Sequence, residues 1–411
     1  MADRSRTVAI IGQGYVGLAL AMAAVRAGWT VIGIENSISK FQTIAAGVSP
    51  VEDVPFQEIQ SSLAARTYRI TTDPSEVSNA SVVILCVPTP LDYRREPDIS
   101  ILEKAVIDIA PHLSDDTLLS NESTSYPGTL RNIIGPLVIK HKSTTDLVVH
   151  LAVAPERVNP GDQKWNQKNT PRLVAGIDEI STNRAIEFYG TICDRVVQLS
   201  KPEIAETAKL LENTFRLVNI ALVNQLAQLC SEQNINVHEV IEAASTKPYG
   251  FMRFTPSVGV GGHCIPVDPL YLSWWAEKFG GSASLITKSD EINRGMPLYV
   301  AQRVMALLPK ESTKRVLILG VAYKSGVKDF RETPASALRD ALIDQGCQVG
   351  WIDPLVEEWE GSTAVGISWP CDVAVVACAQ PGLPVKQISA KGVPILDCTG
   401  AYKNLDGVIR L

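Results

Sequence analysis

A short apolar run that breaks into glycines constrains the fold of this chain more than any other stretch. Residues 8–11 are followed by Gly12-Gln13-Gly14-Tyr15-Val16-Gly17, then by an alanine- and leucine-rich segment to about residue 27, then by a second apolar run at 31–34 that ends in Glu35. Strand, tight turn, helix and strand make a βαβ unit, and repeated units of this kind build a parallel sheet with helices on both faces. The first glycine permits the turn, the second lets a pyrophosphate approach the backbone, and the third lets helix and strand pack closely. A phosphate there meets free N–H groups and the positive end of the helix dipole. Tyr15 and Val16 complete the cofactor-lining turn. Glu35 stands 23 residues after Gly12, where an acid binds the adenosine ribose hydroxyls and repels a 2′-phosphate, so NAD is expected over NADP. Lys40 nearby weakens that preference. The plain alternative is a chance glycine pattern in a structural turn, which the strand before and the helix after argue against.

Further strands are expected at 82–87, 118–121 and 148–154, apolar throughout as buried parallel strands should be. At 411 residues the chain exceeds one ordinary core, so two or three domains are expected. With 45% hydrophobic residues, 20% charged and a net charge of -6, it has the composition of a soluble globular protein and no footprint for nucleic acid. The apolar runs are strand-sized, so no membrane partner is expected. The polar start leads straight into a strand, which reads as no signal peptide. Eight scattered cysteines without C-x-x-C spacing imply a reduced, cytoplasmic setting.

From Ser200 the texture changes. Ser200-Lys201-Pro202-Glu203 combines a capping serine, a proline in the first turn and a glutamate three residues after the cap. Apolar residues then recur at the helical period to about Glu232, predicting a long helix suited to linking domains and contacting a second subunit. Helical segments follow to about residue 308. A second sheet is predicted from strands at 315–320, 349–352, 373–377 and 394–396, with a helix over 335–345. The fold class is α/β: two Rossmann-like doubly wound domains joined by a long central helix and a helical middle domain. The expected boundaries are 1–199 for the cofactor domain, 200–308 for the central helical domain and 309–411 for a smaller nucleotide-binding domain.

The chemistry concentrates in Gly259-Val260-Gly261-Gly262-His263-Cys264-Ile265-Pro266-Val267-Asp268-Pro269. Glycines let a substrate approach the backbone, and a thiol in such a loop becomes a nucleophile once a neighbour favours its thiolate. The dull alternative is a buried thiol beside a turn carboxylate. Lys209 and Asn213, four apart, share one face of the long helix and suit a developing oxyanion; a solvated lysine beside a surface asparagine is the rival reading. Pro88, Thr89, Ser123 and Thr124 follow strands of the first sheet, where ligands of doubly wound sheets bind, and ordinary turn chemistry explains them equally well. Glu156 is a candidate general base for water, or else an ion-pair partner of Arg157. In Ala322-Tyr323-Lys324 and Asp329-Phe330-Arg331-Glu332 a lysine and an arginine follow a strand, where phosphates dock, unless the loop is simply solvated. His263 reads as structural or substrate-lining. It and Cys264 have no partners at ligand spacing, so no metal is expected. A nucleophilic cysteine with a hydride acceptor suggests an oxidation that passes through a thioester.

Along the whole chain, in the order glycine turn, Val87-Pro88-Thr89-Pro90, Glu122-Ser123-Thr124, Pro155-Glu156-Arg157, Lys209 and Asn213, the cysteine loop, and Ala322-Tyr323-Lys324 with Asp329-Phe330-Arg331-Glu332, these segments resemble the UDP-glucose/GDP-mannose dehydrogenase family of nucleotide-sugar 6-dehydrogenases. The resemblance implies two NAD-dependent oxidations at C6 of a UDP-hexose, with Cys264 forming first a thiohemiacetal and then a thioester that water hydrolyses to the uronic acid. It implies that Lys209 and Asn213 stabilise oxyanions, that Asp268 assists through water and the lysine, and that Glu156 promotes hydrolysis. Thr124 lies near the nicotinamide, and Arg331 reaches toward the cofactor. On the same resemblance Glu156, Arg157, Lys209, Asn213, Gly259, Gly261, Gly262, His263, Tyr323 and Lys324 are expected to line the substrate, joined by Arg253 from a neighbouring subunit of a homodimer.

Gly-Gly-His-Cys-Ile-Pro-Val-Asp-Pro and Pro155-Glu156-Arg157-Val158-Asn159-Pro160-Gly161 are similar to the branch acting on UDP-N-acetylglucosamine or UDP-N-acetylmannosamine. Pro256-Ser257-Val258-Gly259 departs from that branch toward the glucose enzymes, leaving UDP-glucose or TDP-glucose as the alternative. A single-step β-hydroxyacid-type dehydrogenase is the nearest rival, and a non-catalytic nucleotide-sugar sensor is the rival from another class.

Overall fold

The computed structural model describes residues 4–51, 54–158 and 164–411, which fall into two compact units divided between Glu212 and Asn213. In the first, eight strands form one sheet: β1 (Thr7–Ile11), β2 (Thr30–Ile34), β3 (Tyr68–Thr71), β4 (Val82–Leu85), β5 (Thr117–Asn121), β6 (Val149–Val153), β7 (Arg172–Gly176) and β8 (Val196–Gln198). Their order is β3-β2-β1-β4-β5-β6-β7-β8, and every pairing from β3 to β6 is parallel. The direction of winding reverses between β1 and β4. That switch point, outside the carboxyl ends of the strands, is where doubly wound sheets bind nucleotides.

β1, β4 and β5 are buried along their whole length, which explains their unbroken apolar sequences. The helix Tyr15–Arg26 lays Leu18, Leu20 and Met22 into the core shared by Val8, Ile10 and Val31. Each such side chain contributes about 1.5–3 kcal/mol on burial. Trp29 meets Phe188 edge-on at 5.0 Å and draws the helix Glu179–Ile192 into the same core.

The expected all-parallel sheet is corrected at its far edge. β7 runs antiparallel to β6, and β8 is parallel to β7. A parallel return needs a crossover, usually a helix. The described residues between β6 and β7 contain no helix, so the chain simply turns back. β3, β7 and β8 are additions to the strands read from sequence.

The second unit holds a smaller sheet of β9 (Arg315–Leu319), β10 (Gln348–Ile352), β13 (Val373–Val376), β14 (Ile395–Asp397) and β15 (Val408–Arg410), beside a ribbon of β11 (Glu358–Trp359) and β12 (Ser362–Thr363). The order is β10-β9-β13-β14-β15, all parallel, with its own switch point between β9 and β13. Four of these strands match the predicted positions; β15 and the ribbon are too short to carry a periodic signal. Alternation along β9 builds two cores. Val316 and Ile318 face one side with Leu338 and Leu342 of the helix Pro334–Asp344, while Leu317 and Leu319 face the other with Val385 and Ile388.

The long helix runs Pro202–Glu232, 31 residues and about 45 Å, and begins where the capping signal places it. Helices Val237–Ala244, Asp268–Lys278 and Ser284–Leu307 follow.

Candidate active site

The glycine turn after β1 can be tested against a dinucleotide directly. A Cβ on Gly12, whose φ is +89°, would lie 2.5 Å from the Cys86 carbonyl oxygen, and one on Gly17 would lie 1.9 Å from that of Gly12. Both glycines are demanded by the protein's own packing. Gly14 is different: nothing lies within 4 Å of the place its Cβ would occupy. Open space over an N-cap glycine, at the start of the helix Tyr15–Arg26, is the cradle a pyrophosphate needs. Glu35, only 4% exposed, accepts the Gln13 N–H on one carboxylate oxygen and the Ser37 N–H on the other, both at 2.9 Å. Each oxygen keeps a lone pair for a ribose hydroxyl. Lys40 Nζ lies 3.5 Å from this carboxylate, so part of its charge is spent inside the protein. Tyr15 and Val16 open the helix, partly exposed. These residues fit an NAD.

At the neighbouring strand ends Pro88 is exposed and Thr89 buried, while Thr124 is half-buried. The Ser123 hydroxyl accepts the Val87 N–H at 2.9 Å and so ties the two loops together. Sequence reasoning missed the pair beneath them. Arg172 Nη1 donates to Glu122 at 2.9 Å with both side chains almost wholly buried, and also reaches the Ala154 and Pro155 carbonyls. Burial pushes the Glu122 carboxyl above its ordinary range, against the opposing pull of Arg172. A lone arginine opening the apolar strand β7 is the signal that could have revealed it, since a charge buried on a sheet needs a partner.

The arginine thereby fixes the start of the Pro155-Glu156-Arg157 segment. Glu156 accepts the Val158 N–H, while Arg157 pairs with Glu212 and donates to the Pro171 carbonyl at 2.7 Å. The ion pair considered between Glu156 and Arg157 is replaced by Arg157–Glu212. Asn159, Pro160 and Gly161 lie outside the described residues.

On the long helix Lys209 and Asn213 are both buried, one turn apart. The solvated lysine is thus excluded. Asn213 Nδ2 donates to Asp268 Oδ2 at 2.6 Å. Asp268 opens the helix Asp268–Lys278, and its N–H, like that of Val267, donates to the Cys264 carbonyl, at 2.8 and 3.2 Å. Cys264 itself is exposed. Asn213, Cys264 and Asp268 therefore form one connected cluster. Earlier on the helix, buried Glu206 accepts the Gly128 and Leu130 N–H groups at 2.6 and 3.0 Å, and so holds the loop that follows Thr124. Burial pushes its carboxyl up to about 7. Sequence reasoning missed this residue too.

The glycines before Cys264 have a different reason from the one expected. The Cβ position of Gly262, φ +80°, lies 2.7 Å from the Tyr323 ring, and that of Gly261 lies 2.6 Å from the Glu332 carbonyl oxygen. Protein, not substrate, fills the space that a side chain would take. Gly259, Tyr323 and Lys324 line a pocket of about 220 Å³ at the carboxyl ends of β9 and β13, the switch point of the smaller sheet. Burial pushes the His263 imidazole down, and the Arg331 charge adds to this, favouring its neutral form. Arg331 is paired with Asp329 at 2.6 Å, and Arg253 lies 3.9 Å from Glu242. Among the described residues no cluster of metal-ligand type is found.

Residues 6–193 match the NAD binding domain of the UDP-glucose/GDP-mannose dehydrogenase family, residues 203–295 its central domain, and residues 317–403 its UDP binding domain. The chain belongs to that family. It is an NAD-dependent oxidoreductase. The UDP-N-acetyl-D-mannosamine dehydrogenase of Methanocaldococcus jannaschii is 34% identical over 358 residues, spanning 86% of this chain and 80% of the relative. The UDP-N-acetyl-D-glucosamine 6-dehydrogenase of Pseudomonas aeruginosa is 32% identical over 371 residues, spanning 88% and 86%. Among solved structures, the UDP-D-ManNAc dehydrogenase of Pyrococcus horikoshii superposes with a TM-score of 0.87 at 29% identity, over 98% of both chains. No helix among the described residues is long and apolar enough to cross a membrane.

Proposed function

We propose that this member of the family oxidises the C6 hydroxyl of a UDP-N-acetylhexosamine, N-acetylmannosamine or N-acetylglucosamine, to the uronic acid. The observation that carries the reading is the exposed thiol of Cys264, a residue whose backbone carbonyl accepts the Asp268 N–H while the Asp268 carboxylate accepts the Asn213 amide. NAD+, when bound, supplies the hydride acceptor for both oxidations. The Cys264 thiolate adds to the C6 aldehyde to give a thiohemiacetal. Loss of a second hydride and a proton leaves a thioester, and water cleaves it to the carboxylate and the free thiol. Four electrons leave the sugar, so two NADH form per product. Lys209 and the Asn213 amide donate to the oxyanion, and one such donor is worth roughly 3–4 kcal/mol in the transition state. Asp268 orients that amide, Glu156 activates the hydrolytic water, and Thr124 presents its hydroxyl beside the nicotinamide site. Lys324 holds the diphosphate, and Arg331 is read as a cofactor contact.

The domain limits 1–199, 200–308 and 309–411 belong to the same proposal, as does a homodimer. Support for the dimer is a stripe of exposed apolar residues, Ile204, Leu211, Phe215, Leu222 and Leu229, along one face of the long helix. Arg253 would then serve the partner's substrate. Eight free cysteines support a reduced, cytoplasmic setting, and a role in polysaccharide precursor synthesis belongs to the same proposal.

UDP-glucose or TDP-glucose is the second reading, favoured by Pro256-Ser257-Val258-Gly259 beside the pocket. Incubating the enzyme with UDP-ManNAc, UDP-GlcNAc, UDP-glucose and TDP-glucose and counting NADH per product decides. Two equivalents with an N-acetyl sugar are expected. One equivalent would mean a single-step dehydrogenase, and UDP binding with no NADH would mean a sensor.

A further inference from the structure

The loop that carries Lys324 is gripped from both sides by buried side chains to which the chemistry above gives no part. Asp353 follows β10 and is 4% exposed. Its Oδ2 accepts the Val321 and Ala322 N–H groups at 2.8 and 3.2 Å, and its Oδ1 accepts that of Leu355 at 2.9 Å. Gln380 follows β13 and is 2% exposed. Its Oε1 accepts the Gly326 N–H and its Nε2 donates to the Val327 carbonyl, both at 2.7 Å. Ser325 adds a bond to the Ala379 carbonyl at 2.6 Å. Residues 321–327 are thus fixed from both flanking strands.

The first sheet is built the same way. Gly12 N–H donates to Ile34 after β1, and Gly320 N–H donates to Ile352 after β9. Gly12 crowds the Cys86 carbonyl, and Gly320 crowds that of Cys378. Glu35 accepts the Gln13 N–H, and Asp353 accepts the Val321 N–H. The two constructions then diverge. After Gly12 the chain enters a helix almost at once, whose free N–H groups can meet phosphate. After Gly320 no helix begins until Pro334, so an anion must be met by Lys324 on an irregular loop. A loop left to order itself on binding would lower affinity. Asp353 and Gln380 remove that cost beforehand.

We propose that Asp353 and Gln380 are positioning residues for the nucleoside diphosphate, holding residues 321–327 so that Lys324 meets it in a preformed site. This rests on the reading of Lys324 as the diphosphate anchor. The test uses the full-length enzyme and UDP itself, by calorimetry, with steady-state kinetics alongside. Gln380→Leu removes its bonds to Gly326, Val327 and the Lys324 carbonyl at similar volume, Asp353→Asn weakens the other grip, and Lys324→Ala is the reference. Both positioning variants should raise the UDP Kd and the UDP-sugar KM by about tenfold or more, with kcat and the NAD KM within about threefold. In Lys324→Ala, adding Gln380→Leu should weaken UDP little further. If Lys324→Ala binds UDP as tightly as wild type, the anchor reading falls. If Lys324→Ala is weakened while Gln380→Leu binds like wild type, the positioning role falls and the anchor stands. Equal losses in kcat, NAD KM and melting temperature would mark a merely structural role and overturn it also. Should Asp353→Asn fail to fold, Gln380→Leu alone decides.

Discussion

The Asn213 amide donates to the Asp268 carboxylate at 2.6 Å, with both side chains buried. A bond this short to a carboxylate is charge-assisted, and it aims the amide at one place. Asp268→Asn keeps the shape but replaces the charged acceptor by a neutral amide with a single acceptor oxygen. We expect kcat to fall by about 100-fold and the melting temperature to move little, since the loss is of transition-state stabilisation. Steady-state rates beside a thermal melt check this; a full kcat would sink the orienting role.

Cys264→Ser replaces the exposed thiol by a poor nucleophile. Turnover should fall by about a thousandfold or more. Acid-quenched wild-type enzyme should carry a sugar-nucleotide adduct on Cys264 by mass spectrometry, absent in the variant. Retained activity would remove the thioester.

Glu206 carries a pH dependence of stability. Its folded carboxyl titrates at about 7 against an ordinary 4.5, because burial outweighs the Leu130 and Gly128 N–H bonds. The folded state therefore holds the proton more tightly. Its contribution to stability is greatest below 4.5, falls as pH rises to about 7, and is flat beyond, a loss of roughly 3 kcal/mol at about 1.4 kcal/mol per pH unit. Glu206→Gln should flatten that slope in denaturant titrations at pH 5 and 8. An unchanged slope would assign it to another group.

Two glycine-to-alanine changes should separate binding from folding. At Gly14 the space is open and φ is −86°, so Gly14→Ala should fold within about 1 kcal/mol of wild type yet raise the NAD KM. At Gly262 the Tyr323 ring occupies the Cβ position and φ is +80°, so Gly262→Ala should lose about 2 kcal/mol or more. Urea melts and NAD titrations of the pair distinguish the two.

Glu35→Gln keeps the loop bonds to Gln13 and Ser37 only in part and removes the charge that repels a 2′-phosphate. The ratio of NADP to NAD efficiency should rise by about tenfold or more, helped by Lys40. No change would place the ribose elsewhere.

What could be read in advance follows how local the signal is. The glycine turn, the strand ends and the start of the long helix at Pro202 rest on neighbours in sequence, and the structure places them as read. The reversal of β7 does not, because nothing in Arg172-Leu173-Val174-Ala175-Gly176 states its direction. Arg172 and Glu122 are 50 residues apart, and Glu206 and Gly128 are 78 apart, so their meeting is a product of the fold. The glycines before Cys264 show the same limit. Their presence was legible, but the Tyr323 ring that requires them was not.

The Asp268 amide bonded to the Cys264 carbonyl closes a small ring through the chain between them. A reagent that displaces the Cys264 backbone as it reacts with the exposed thiol must open that ring. The Val267 and Asp268 amide protons, which both donate to that carbonyl, should then exchange faster with deuterium. Reagents that seat where the sugar does would leave both protected, so this pair of exchange rates sorts substrate-like labels from those that prise the loop apart.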